Sequence, residues 1–540
     1  MSDGKNSGDI KRNSGLLKTS LGVTFATLLS RMLGLVRVRL EANVLGGGDV
    51  ASGWFLAFAI PNMLRKILGE GALGQALMPL VAEIDGSGDR DGMKKGLGTV
   101  FFVLGFILAA IVLLVSLITF AVSRMEFIQS MELFRTERMK IILGLLPLLM
   151  PYGFFMCLVG VAGCVLNYCK EFFLPALGAL LLNIFLISGL AAAFFFHQND
   201  LHKVLGNLAW LVLLSGFIQL VLMFLLLRRN NSFPDFRKTF SFKSFTNPLI
   251  KKLFKTALPG IIGGIAVDVS FLVDRMLAVY LGARAVPALT YVDRLIDIPI
   301  GIFAISICNV LMSEMSRSAA KEDMELFVND LQFAIRQVFF FCVPMAAGVI
   351  FFFDILMSVF CLGGRYTAAD LEAARMVAMF YGAGIPVFCL LKVMVPAFHS
   401  RKKMQITLYA SLCAIVLNII LNIILMQFMQ QGGIALATVA ASVVNCTILF
   451  CVLKKEALAP AVTPLALTLL RTVIVAAVSA FLATLLVKFA VAGENNLMVS
   501  IIKLGVVGIS FSVCYFGLSA LLRAPEVREF SDILKHRKKA

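Results

Sequence analysis

Long apolar runs follow one another from Leu17 to Leu522, and nothing else in the sequence restricts the fold as strongly. A helix needs about 20 apolar residues to cross the hydrocarbon of a bilayer. By that measure the chain holds about 14 spans. They cover Leu17–Gly46, Ala51–Ile84, Gly96–Val122, Met139–Asn167, Phe172–Phe196, Val204–Leu227 and Leu253–Leu281. The second half gives Ala285–Met315, Phe333–Cys361, Leu371–Ser400, Met404–Met429, Gly433–Leu453, Pro464–Val491 and Leu497–Leu522. None shows strand-like alternation, so backbone groups must be satisfied within helices. The expected fold is an all-α polytopic membrane protein. Of 540 residues, 59% are hydrophobic and 15% charged, against roughly 25% charged in soluble domains, which excludes an ordinary water-soluble enzyme. Met1–Ser14 is polar and leads into the first run with no small-residue cleavage site, so that run reads as a retained span and not a signal peptide.

Charge is lopsided, with 49 Lys+Arg against 32 Asp+Glu and a net +17. Most of the surplus lies in the even-numbered loops and the tails, as at Arg90, Lys94 and Lys95, Arg228 to Lys252, Arg401 to Lys403, and the final Arg537-Lys538-Lys539. Odd loops are poor in Lys/Arg except the third, where Arg124, Arg135 and Arg138 are balanced by Glu126, Glu132 and Glu137. The positive-inside rule places both termini and the even loops in the cytoplasm. Basic residues there meet acidic headgroups, and no nucleic-acid partner is expected.

An internal repeat is visible. Arg39-x-x-Ala42-x-x-Leu45-Gly46 precedes Ile60-Pro61, and Arg275-x-x-Ala278-x-x-Leu281-Gly282 precedes Ile298-Pro299. Short basic turns recur at 167–175 and 399–407. Two pseudo-symmetric six-helix lobes plus two C-terminal helices result, the architecture of many transporters. The expected divisions are a cytoplasmic tail (1–16), an N-lobe (17–228), a basic linker (229–252), a C-lobe (253–455), two further helices (464–522) and a cytoplasmic tail (523–540).

Several chemistries find no support. The 11 cysteines form no C-x-x-C pair, and most sit in apolar runs as small fillers. The four histidines are never at metal-ligand spacing. Gly69-x-Gly71-x-x-Gly74 matches a dinucleotide fingerprint literally, but no strand or βαβ unit surrounds it. No Walker-type loop occurs, so transport energy must come from a gradient, the membrane potential or a partner. Nothing resembles a set of catalytic groups, and the chain is not expected to be an enzyme.

The informative residues are charges within spans. Arg31, Arg37, Arg65 and Arg294 lie in or at apolar segments, where a central charge costs at least about 2.5–3.5 kcal/mol. Local carboxylates stand near some: Glu41 four residues after Arg37, Glu70 four after Lys66, Asp297 three after Arg294. Snorkelling or interhelical ion pairs would explain any one arginine. For the set, an anion-binding cavity is preferred, because guanidinium forks match phosphate geometry. A second group comprises Asp274, Asn418, Asn422 and Thr438, an oxygen-rich set suited to Na⁺ or, on Asp274, a proton. The alternative is that Asp274 pairs with Arg275 or another arginine and the amides merely bond across helices. Asp268, less than two turns earlier, is a further candidate for a buried acid.

The stretches SRMLGLVR (30–37), FAIPNMLRKILGEGALGQALMP (58–79), YVDRL (291–295) with PIG (299–301), and KVMVPAFHSR (392–401) resemble the MurJ (MviN) family over nearly the whole chain. The resemblance implies a 14-helix fold of the multidrug/oligosaccharidyl-lipid/polysaccharide exporter superfamily. It also implies flipping of lipid II, the undecaprenyl-pyrophosphate-linked peptidoglycan precursor, across the bacterial cytoplasmic (inner) membrane. Its substrate-binding arginines fall on Arg31, Arg37, Arg65 and Arg294, supported by Glu41, Asn62, Glu70, Asp293 and Asp297. A cation site falls on Asp274, Asn418, Asn422 and Thr438 with the main-chain oxygen of Ile434. Two positions depart from the pattern: Val38 and Ser52 stand where acids are common. The expectation is a monomer with no resident cofactor, Na⁺ or H⁺ as coupling ion, membrane lipids around it and the cell-wall synthesis machinery as partner. A cation-coupled drug or oligosaccharide-lipid exporter of the same superfamily is the nearest rival, ahead of a group-transferring membrane enzyme or a scaffold.

Overall fold

The structure, a computed structural model, describes residues 29–70, 72–86, 89–237, 239, 241–301, 315, 317–318, 323–401, 403–490, 496–527 and 529. These are helical throughout, apart from turns and one isolated bridge between Gly363 and Tyr366. In chain order the main helices are α1 (29–45), α2 (Asp49–Leu64), α3 (Ala72–Gly86), α4 (Arg90–Arg124), α5 (Glu137–Tyr168), α6 (Phe173–Phe195), α7 (Leu201–Arg229) and α8 (Pro248–Leu281). Then come α9 (Ala285–Pro299), α10 (Met324–Phe351), α11 (Phe353–Phe360), α12 (Ala368–Ser400), α13 (Met404–Lys455), α14 (Val462–Ala490) and α15 (Leu497–Leu521). Among the described residues nine helices are long and apolar enough to cross a membrane. The chain is a multi-pass membrane protein.

One of the nine, α13, has 52 residues and would run about 78 Å at about 1.5 Å per residue, far beyond a bilayer's core of about 30 Å. Gln430 breaks it, with φ 49° and ψ −132°, in the Gln430-Gln431-Gly432 turn expected from the sequence. The two arms pack so closely that a side chain at Gly433 would run into the Leu425 carbonyl and the Met426 nitrogen. Only glycine lets the hairpin close.

Two expected spans are less regular than hydropathy implied. The second is interrupted by a π-helical turn, Arg65–Glu70, between α2 and α3. The eighth leaves α-geometry at Ile300 and Gly301, and continues into residues outside those described. Both irregularities follow an Ile-Pro pair, Ile60-Pro61 and Ile298-Pro299. Proline removes an N–H and crowds the carbonyl a turn earlier, which favours a wider local turn. The ninth span also differs: α10 starts earlier than expected, and the chain turns at Phe352 before α11.

Two compact units divide between Leu272 and Val273. In the first, α5 is the hub, packing on α2, α4 and α7. In the second, α12 is the hub, packing on α9, α10 and α13. The repeated motif keeps its conformation as well as its letters. Ala42 and Ala278 are fully buried, and Gly46 and Gly282 both take positive φ, 76° and 126°, at the turn into the next helix. Each turn is tied to the start of its hub helix by an ion pair of opposite polarity: Asp49 with Arg138 at 3.5 Å, Arg284 with Asp370 at 2.8 Å.

The last two helices join the second unit through α14 against α10, and α15 against α14 and α11. Lipid is as apolar as leucine, so hydrophobicity does little to hold helices together there, and packing and polar bonds must. Tyr515 donates to the Phe340 carbonyl at 2.6 Å. Beyond α15, Glu526 is fully buried and accepts from Arg336 at 3.2 Å, Thr468 at 3.0 Å and Arg471. Outward residues such as Leu467, Leu470, Phe481 and Ile509 are apolar, as a lipid-facing surface requires.

Candidate functional site

In the first unit the charges of α1 are organised by position. Ser30, Arg37 and Glu41 recur at helical spacing on one face. Arg37 Nε lies 3.6 Å from Glu41, whose side chain is 2% exposed. Arg37 Nη1 also donates to Asn183 Oδ1 on α6 at 3.0 Å. The same amide donates through Nδ2 to the Ser30 carbonyl at 3.2 Å and lies 3.4 Å from its hydroxyl. Asn183 was absent from the sequence reading. Its signal was its isolation: Phe173–Phe195 has no other polar side chain but Ser188.

Arg31, the neighbour of Ser30, points about 100° away around the helix. It is half-buried and makes no ion pair or hydrogen bond among the described residues. Val38 and Ser52, where the resemblance put acids, are buried. Glu41 therefore supplies the local counter-charge.

Arg65 opens the π turn and donates through Nε to Asn62 Oδ1 at 2.9 Å. The expected pairing of Lys66 with Glu70 falls on a side chain outside the described residues, in a π turn where i,i+4 spacing differs from that of an α-helix. Lys66 lies 3.8 Å from Asp268 on α8 and 5.6 Å over the Phe271 ring.

In the second unit Asp293 and Arg294 part company. Asp293 takes Arg275 of α8, which is 2% exposed, while Arg294 next to it is half-buried. Asp297, three residues on, is exposed.

Arg275 pairs with Asp293, and the adjacent Asp274 meets a polar set. Asn422 Nδ2 donates to Asp274 Oδ1 at 2.6 Å and to Asn418 Oδ1 at 3.1 Å. The Thr438 hydroxyl lies 3.2 Å from Asp274 Oδ2 and 3.0 Å from the Ile434 carbonyl, and its single proton can serve one of them at a time. Asn418 Nδ2 reaches Thr438 Oγ1 at 3.3 Å. Asp274, Asn418, Asn422 and Ile434 are each at most 4% exposed. All five expected residues thus meet in one cluster of α8 and both arms of α13. The donors are a carboxylate, two amide oxygens, a hydroxyl and a carbonyl, and such hard oxygen ligands fit Na⁺ and not a soft metal.

Comparison with known proteins follows this geometry. A family model described as "Lipid II flippase MurJ" matches residues 41–508. A probable lipid II flippase MurJ of Rhizobium tropici is 29% identical over 443 residues, covering 82% of this chain and 81% of that protein. Among solved structures, a lipid II flippase MurJ in an inward closed conformation matches with TM-score 0.73 at 22% identity, covering 93% of this chain and 99% of that one. A multidrug resistance MATE family transporter of the MOP superfamily matches with TM-score 0.62 at 14% identity, covering 79% and 94%. The two structural likenesses speak for the fold. The family match runs from Glu41 to Gly508, over most of the spans and through both units, and by it this protein belongs to the lipid II flippase MurJ family.

Proposed function

We propose that the protein carries lipid II from the inner to the outer leaflet of the bacterial cytoplasmic membrane by alternating access, with both termini in the cytoplasm. The observation that carries the reading is how its intramembrane arginines are held. Arg65 and Arg37 are oriented by the neutral amides of Asn62 and Asn183. An amide adds no counter-charge of its own; Arg37 has Glu41 beside its Nε and takes the Asn183 amide at Nη1, a fork suited to a diphosphate. Arg31, Arg37, Arg65 and Arg294 bind the pyrophosphate in this reading, and Glu41 keeps Arg37 from being an isolated buried charge. Family membership supports lipid II as the substrate.

Asp274, Asn418, Asn422, Thr438 and the Ile434 carbonyl would hold the coupling cation, Na⁺, with protonation of Asp274 as the equivalent charge change. A bound cation supplies charge compensation for that buried carboxylate. Transport itself makes and breaks no covalent bond, and the protein acts as a monomer in the cell-wall synthesis pathway.

The test is lipid II translocation in proteoliposomes. Arg294→Gln is expected to abolish translocation while insertion and yield stay normal. Wild-type translocation by that variant would remove the arginines from the mechanism. An undiminished outer-leaflet pool of lipid II in depleted cells with no second flippase would defeat the function as a whole.

A further inference from the structure

Asn183 is a buried amide in an otherwise almost wholly apolar helix, 8% exposed. A buried amide is costly unless its hydrogen bonds are made. Here both ends are used: the oxygen on Arg37, the nitrogen on Ser30. Ser30 and Arg37 are seven residues apart, two turns along one face of α1. One side chain of α6 therefore fixes both the helix and the charged group it carries.

The second unit repeats the device with opposite charge. Counting helices from the start of each repeat, α1 and α6 correspond to α8 and the first arm of α13. There the amide of Asn422, on the first arm of α13, holds Asp274 of α8. In each unit an asparagine on the fifth membrane span bonds an intramembrane charge of the first span. A packing amide would have no reason to meet the charged residue twice.

We infer that Asn183 is a positioning residue that sets the Arg37 guanidinium for the lipid diphosphate. The assignment rests on Arg37 reading that diphosphate. The amide accepts one guanidinium N–H and so selects which edge of the fork is left for phosphate oxygens. A carboxylate there would also orient the fork but would add a second negative charge to that of Glu41. Leucine would remove the bond at Nη1 and leave Glu41 at Nε.

Binding of lipid II and of undecaprenyl diphosphate to the full chain in detergent tests this. Asn183→Leu is expected to weaken both probes alike, on the order of tenfold, the scale of one hydrogen bond to a charged group. In an Arg37→Lys background, which has no fork to orient, the same change is expected to cost about twofold or less. Asn183→Ala serves as the second variant should leucine reduce the folded yield. An equal loss in both backgrounds makes Asn183 a packing residue and overturns the proposal, as does unchanged affinity or a loss confined to lipid II. Wild-type protein that binds neither probe would instead overturn the function on which the proposal rests.

Discussion

The Glu526→Gln substitution gives the most quantitative expectation. Glu526 is fully buried beyond the last helix, where Arg336, Arg471 and Thr468 donate to it. Glu529 completes the cluster, accepting from Arg336 at 2.6 Å and Gln337 at 3.0 Å. Two arginines and two glutamates balance. Glutamine keeps the shape but leaves one positive charge uncompensated. Breaking a buried pair costs about 3–5 kcal/mol. Two features reduce that figure here: Arg336 retains Glu529, and the Arg471 side chain is 26% exposed and can recruit water. About 2–3 kcal/mol is then expected. The cost falls on the segment after α15, residues 523–527, which these bonds tie to α10 and α14. Backbone amides such as Ala524, bonded to Ser519, and Val527, bonded to Ala524, report its opening. Hydrogen exchange there should accelerate about 30- to 150-fold. Glu529→Gln, whose side chain is 30% exposed, should cost about 1 kcal/mol or less. If Glu526→Gln exchanges like wild type, or no faster than Glu529→Gln, the cluster is not what holds the C-terminus.

Other expectations are briefer. Gly433→Ala drives a methyl group into the Leu425 carbonyl, so the α13 hairpin must open at a cost of about 1–3 kcal/mol, read as a lower thermal midpoint; an unchanged midpoint would refute the close approach. Na⁺, but not choline, should raise the thermal midpoint of the wild type, about 2.7 kcal/mol of protection at about 100 times Kd, and Asp274→Asn should abolish the difference. Equal protection of that variant would place the cation elsewhere. Burial pushes the Glu456 carboxyl up, but its bonds to Lys403 at 2.5 Å and Arg401 at 2.6 Å outweigh this and hold it below its ordinary value. The folded pKa is the depressed one, so this contribution is present above the unfolded carboxylate range and lost as pH falls through the folded value. Acid should therefore loosen Arg401 and Lys403 from Glu456 in the wild type, and Glu456→Gln should remove that part of the pH dependence of exchange.

Periodicity and charge made much of this legible in the sequence. The Gln430 turn, the Arg37–Glu41 pair and the repeat ending in Gly46 and Gly282 all lie within one or two adjacent helices, where spacing along the chain is spacing in the molecule. The Asp274 set was legible for another reason: few polar side chains exist in those spans, and a buried one must find another. Reading stopped where partners lay far apart in sequence, as with Lys66 and Asp268.

The sequence by itself determined that this chain lives in a membrane as helices, and that a handful of charges inside the spans need an explanation. Hydropathy and spacing suffice for that, because a bilayer admits no unsatisfied backbone and charges every buried ion heavily. Only the tertiary structure decided which partner each charge takes: Asn183 for Arg37, Asp268 for Lys66, Asp293 for Arg275, Arg336 and Arg471 for Glu526. Those choices depend on which faces of distant helices meet, and a helix's own periodicity holds no information about the neighbour that covers it.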